Sequence, residues 1–215
     1  MLNLPQSTEV KRPLPKAQLY KRFDWKPSQR DSFDGEVSRL DFVNWIAPRT
    51  LPAIAEGAEV KEIFVIEVSL KNRDFDIKNI ALLGKTIPQR IVYLLRYEDD
   101  ARIAVYYTRL FLSPWQHAEG MSLQLKGLNL DTVWETIVRD IAQLPHVGTS
   151  LCDVLNDVEG SLNQPTESLQ EQIKANEQRA KIERQIAALE RQMNATKQPR
   201  RKRELFEQLQ KLKIK

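Results

Sequence analysis

The chain has 215 residues, 41% of them hydrophobic and 29% charged, with a net charge of +4. That mix is too apolar for disorder throughout and too polar for a membrane, and no apolar run approaches the ~20 residues of a spanning helix. One cysteine, Cys152, excludes an intrachain disulfide and a thiolate zinc cage. With no apolar signal stretch at the start, the composition predicts a cytoplasmic protein.

The charge is unevenly placed. Residues 1–30 hold seven Lys/Arg against two acids, residues 31–160 thirteen against twenty, and residues 197–215 eight against two. Basic ends on an acidic middle imply an electrostatic partner, or ends that fold back on the body.

In chain order, the prolines between Pro5 and Lys16 predict an extended basic segment, followed by a helical turn or two over Lys16–Phe23. Ser28, just after Pro27, reads as the N-cap of a helix running toward Val43. The alternation over Leu40–Ile46 predicts that this helix passes into a strand there. Val60–Leu70 is nearly continuous in Ile, Val and Phe, as a strand covered on both faces requires. Asp76 reads as the N-cap and Gly84 as the left-handed stop of a short helix with Ile77, Ile80 and Leu83 on its buried stripe. Ile91–Tyr97 and Arg102–Leu110 flank Glu98–Ala101, a hairpin pattern with a four-residue acidic turn. Met121–Leu125 alternates like an edge strand.

Asp131 reads as the cap of a helix striped by Val133, Trp134, Ile137, Val138, Ile141 and Leu144 and closed by Pro145. Leu151, Val154, Leu155 and Val158 predict one more short helix before Gly160. This order implies an α+β domain over residues 1–160, with a mostly antiparallel sheet.

Pro165 marks a boundary. Residues 166–215 read as an antiparallel coiled-coil hairpin: no Gly or Pro interrupts from Thr166 to about Ala195, and Ile182, Ile186, Leu189 and Met193 step by 4, 3 and 4. A turn over Asn194–Pro199 and a second stripe of Leu205, Leu209 and Leu212 complete it. The return arm is short, so part of the first arm's seam stays uncovered for a protein partner or a second copy of the chain.

No constellation specific to catalysis emerges, and no cofactor or metal is implied. Gly84-Lys85-Thr86 lacks the upstream glycine of a phosphate loop, and His117 and His146 stand apart from any ligand spacing. Cys152 reads as a small buried hydrophobe. A restriction-type Mg²⁺ nuclease needs a carboxylate, then an acid and a lysine two residues apart on a strand. Glu67 and Lys71 are the weak candidates, four residues and about 13 Å apart along an extended strand. Asp41 or Asp76 would have to supply the second carboxylate.

The basic residues are more concrete. Arg200, Arg201, Lys202 and Arg203 at the hairpin tip, and Lys11, Arg12 and Lys16 near the start, suit sequence-blind phosphate contact with DNA or RNA. Lysines on a helical hairpin also serve simply as its solvated face.

The landmarks at residues 4–20, 59–70, 86–97, 123–142, 182–193 and 202–212 together resemble a family of bacterial and archaeal proteins, domain-of-unknown-function family 4391. The resemblance implies a companion of helicases and DNA methyltransferases in restriction or phage-defence clusters, and it supplies no catalytic residues. The sequence thus predicts a non-enzymatic accessory protein, binding a partner through its domain and the seam at Ile182, Ile186, Leu189 and Met193. A nucleic-acid binder and a Mg²⁺ nuclease are the alternatives.

Overall fold

The computed structural model describes residues 2–143, 169–195, 205, 206 and 208–210. The chain separates into two units, Met1–His146 and Val147–Lys215. The first unit is α+β. Among the described residues its sheet has seven strands, and six of them follow one another in chain order across it. These are β1 (Glu9–Pro13), β2 (Val37–Ile46), β3 (Ile63–Leu70), β4 (Arg90–Tyr97), β5 (Asp100–Tyr106) and β6 (Leu110–Leu112), while β7 (Gln116–His117) pairs with β5. All pairings are antiparallel except β3 with β4, which α3 (Ile77–Thr86) connects.

Strand β3 is mostly Ile, Val and Phe because both of its edges are paired and both of its faces are covered. On one face Ile66, Val68, Tyr93 and Leu95 join Leu19 of α1 (Lys16–Arg22), Phe33 of α2 (Pro27–Glu36), and Ile80 and Leu83 of α3. Alternate residues Val65, Val92, Ile103 and Val105 are buried on the other face. There α4 (Leu130–Ala142) lies against β5 and β6, with Val133, Trp134, Ile137, Val138 and Ile141 buried.

Several local expectations are corrected. Helix α2 starts one residue before Ser28: Lys26 is its N-cap, its amide donates to Gln29 Oε1 at 2.9 Å, and Pro27 takes the first position, where its missing N–H costs nothing. The helix stops at Glu36, because Val37 already pairs with Leu70; strand pairing with β3 overrides the helical pattern through Val43. Strand β3 opens at Ile63 rather than Val60, whose backbone is held by Asp131 and Gly57.

Asp76 does cap α3, accepting from the Lys78 amide at 2.9 Å, but Gly84 lies inside that helix and does not end it. A methyl at Gly84 would overlap Tyr106 Cβ, so the glycine permits close approach of helix and strand. Ile77 is 49% exposed, and Asn79 takes the buried position, donating to Ser32 Oγ and Glu36 Oε2.

The hairpin turn holds only Glu98 and Asp99, since Tyr97 pairs with Asp100, and Glu98 adopts φ 51°. Strand β5 ends at Tyr106, where the chain folds back so that Leu110 pairs with it. Met121–Leu125 forms no strand. Met121 and Leu123 are buried, and the Leu123 amide donates to the Leu2 carbonyl at 3.0 Å.

Asp131 is not the cap of α4 either. Asn129 is, accepting from the Thr132 amide at 2.9 Å. Asp131 instead accepts from the amides of Val60 at 2.7 Å, Ala58 at 2.6 Å and Glu59 at 3.2 Å, pinning the loop before β3 to the helix. Gly57 is needed beside it, since a side chain there would overlap the Asp131 carboxylate and backbone nitrogen.

In the second unit, α5 (Leu169–Ala195) is a 27-residue helix that includes Asn194. Leu169 and Ile173 are buried, and residues 205, 206 and 208–210 are also helical, with Leu209 buried and Phe206 exposed. The expectations for Leu144, Pro145, His146, the helix around Leu151–Val158 with Cys152, Gly160, Pro165, Arg200–Arg203 and Leu212 lie outside the described residues.

The Asp131 clamp is sensitive to pH. Burial opposes its charge, but the amides of Val60, Ala58 and Glu59, with Lys61 nearby, hold the carboxyl below its usual range. A depressed folded pKa stabilises above the unfolded value, about 3.9, and that contribution fades as pH falls through the folded value. Asp131→Asn is therefore expected to lose about 1 kcal/mol in urea unfolding at neutral pH, with the deficit shrinking as the pH falls below the usual carboxylate range.

Candidate functional site

The sheet brings together two carboxylates that the sequence leaves far apart. Asp41 on β2 and Glu67 on β3 are direct cross-strand partners. Their side chains are recessed, 16% exposed each, and each meets an arginine. Arg39 grips Asp41 through Nε–Oδ2 at 2.6 Å and Nη2–Oδ1 at 2.7 Å, and Arg96 Nη1 lies 3.7 Å from Glu67 Oε1. The two carboxylates stand side by side across β2 and β3, with Arg39 outside one and Arg96 on β4 outside the other. The result is an ion-pair network able to hold the exposed end of the sheet in register.

Lys71 is not part of it. Its ammonium donates to the Asp34 carbonyl at 2.7 Å and its amide to the Glu36 carbonyl at 2.8 Å, so it ties the end of α2 to the end of β3. Asp76 is engaged as the cap of α3. Of the residues weighed for a metal site, the structure brings together Asp41 and Glu67 only. Among the described residues no group of three or more His, Cys, Asp or Glu is placed to hold a metal ion.

The N-terminal cations divide. Lys11 is paired with Glu9 at 2.6 Å, and Arg12 is exposed on the edge strand. Lys16 is turned inward: its ammonium donates to Asp34 Oδ1 at 2.8 Å and to the Val37 carbonyl at 2.5 Å, and lies over the Phe33 ring. Tyr20 donates to the same Asp34 oxygen at 2.8 Å. Burial opposes the charge on Asp34, but these donors hold its carboxyl below the usual range. Burial and Asp34 together push the Tyr20 hydroxyl up. The tip residues Arg200, Arg201, Lys202 and Arg203 lie outside the described residues. On α5, Ile182, Ile186, Leu189 and Met193 are all half-buried.

A feature that sequence reasoning missed is a groove of about 190 Å³ between α1 and the sheet. Phe42, Phe64, Ile66 and Ile91 form its floor, and Leu14, Leu19 and Phe23 its wall. Gln18, Arg22 and Gln89 stand at its rim, with the Arg22 guanidinium 5.7 Å from the Phe23 ring centre. Phe42 and Phe64 meet edge to face at 5.8 Å. In the sequence its one hint is the interleaving of Tyr20, Phe23 and Trp25 with Lys21 and Arg22. Of these, Trp25 is a buried anchor whose indole donates to Thr86 Oγ1 at 3.3 Å.

Among the described residues no helix is long and apolar enough to cross a membrane. The family described as "Domain of unknown function (DUF4391)" matches residues 2–215. No curated protein and no solved structure matches the chain.

Lys16 is expected to act on stability. Lys16→Met should lower the urea unfolding free energy by about 1 kcal/mol, a modest figure because Asp34 remains half exposed to water. It should leave the salt dependence of any oligonucleotide binding unchanged. A lower salt slope with intact stability would assign Lys16 to an anion-binding surface instead.

Proposed function

The chain belongs to the DUF4391 family, and we propose that it is a non-enzymatic accessory subunit of a helicase- or methyltransferase-containing DNA-processing or phage-defence complex. One observation carries this reading. Along α5 the apolar heptad residues Ile182, Ile186, Leu189 and Met193 each remain partly exposed. A helix that carries its apolar residues at heptad spacing packs them against a second helix or a groove, and a partner supplies what the chain's own coiled-coil hairpin leaves uncovered. The helicase or methyltransferase comes from what the family resemblance implies.

Ile186→Asp combined with Leu189→Asp should leave the circular dichroism of the α+β unit intact. It should also abolish co-purification of a helicase or methyltransferase subunit from the native cells. Wild-type protein that brings down neither subunit would end the proposal.

A second reading, a Mg²⁺-dependent nuclease, is favoured by the direct opposition of Asp41 and Glu67. Two carboxylates on neighbouring strands are a sufficient protein contribution to a Mg²⁺ site that also uses water and phosphate. Against it, both carboxylates already hold arginines, and Lys71 points elsewhere. Glu67→Gln separates the readings: a nuclease loses Mg²⁺-dependent DNA cleavage, and an accessory subunit has none to lose.

A further inference from the structure

We propose that the groove between α1 and the sheet is a docking site for a short acidic peptide segment bearing an aromatic or large aliphatic anchor. Its size sets the first limit. At about 190 Å³ it falls below the roughly 300–1,000 Å³ of cofactor and small-molecule pockets, and it suits one or two large side chains. Its lining is apolar and aromatic, and Phe42, Phe64 and Phe23 offer ring faces and edges to an inserted ring.

Charge sets the second limit. Arg22 lines the groove, and Arg12 is the cross-strand partner of Phe42 on its floor. Both arginines are exposed and have no ion pair among the described residues, and no carboxylate lines the groove. Elsewhere on this unit Lys16, Arg39, Arg73 and Arg139 each hold a carboxylate. An apolar slot with one exposed guanidinium in its lining and a second on the strand paired beside its floor is complementary to an apolar anchor flanked by Asp or Glu.

The edge strand sets the third. An extended peptide would otherwise add to β1, the last strand on that side of the sheet. A register break between Glu9 and Arg12, Lys11 at φ 48° and the missing donor of Pro13 blunt that edge. Recognition must therefore run through side chains in the groove rather than through a backbone ladder. The proposal does not depend on the seam of α5.

The test is selection of a random peptide library on the full-length protein, followed by polarisation measurements on the enriched peptides. Enriched sequences are expected to place Phe, Trp or Leu beside Asp or Glu and to weaken as salt rises. Arg12→Glu with Arg22→Glu should weaken them at least about tenfold, while the paired Lys substitutions should retain much of the binding. Gln18→Trp, on the exposed rim, should block them by filling the slot while both arginines are kept. Enrichment of no such peptides, or equal binding by the charge-reversed or Gln18→Trp protein, overturns the proposal. So does a single-stranded oligonucleotide that depends on the same two arginines when no peptide is enriched.

Discussion

Strand β3 is the member on which the first unit is assembled. Its antiparallel edge receives β2 and its parallel edge receives β4, so the helical crossover through α3 and the meander before it meet on one eight-residue segment. A strand paired on both sides and covered on both faces can satisfy its backbone only if every residue is suited to burial or to a local partner. Isoleucine, valine and phenylalanine meet that demand at most positions, and Glu67 meets it through Arg96. The Asp41–Glu67 pair, the Lys71 tie to α2 and the groove floor at Phe64 and Ile66 all take their geometry from this strand.

The connections around β3 are held by polar groups that anchor backbone rather than by apolar packing alone. Asp131 gathers three amides of the incoming loop, and Lys71 returns two donors to the end of α2. Glu36 receives both the Asp76 amide and the Asn79 side chain, which fixes α3 against α2. These bonds use charged groups, which makes them stronger than neutral ones and leaves them sensitive to single substitutions.

Much of this arrangement was legible in the sequence where one local pattern decides the outcome. The run over Ile63–Leu70, the stripe of α4, the short α1 and the Asp76 cap follow from periodicity and cap chemistry. The misreadings share a cause: a residue type with two physical uses. Gly84 reads as a helix stop, yet it is a close-approach position, because Tyr106 lies on a strand whose docking no local pattern reveals. Asp131 reads as a cap, yet it clamps a loop some seventy residues earlier in the chain. Residues Val37–Val43 fit a helix until pairing with β3 claims them. The opposition of Asp41 and Glu67, and the meeting of Arg12 with Phe42, depend on register, and bulges in both pairings put register beyond counting along the sequence.

Register also explains why the basic N-terminal segment has to be taken residue by residue. Lys11, Arg12 and Lys16 are near neighbours in a charge run, but the fold gives each a different electrostatic state. Lys11 meets Glu9 on its own strand, and Lys16 closes a network with Asp34 and Tyr20. Arg12 is exposed on the edge strand opposite Phe42 and has no ion pair among the described residues. A guanidinium left in water gains little from folding, so its position beside Phe42 adds nothing to stability that another polar residue would not supply. Under the docking proposal, the ion pair that Arg12 lacks among the described residues comes from the peptide, and the apolar floor beside it supplies the burial that an exposed ion pair alone would not.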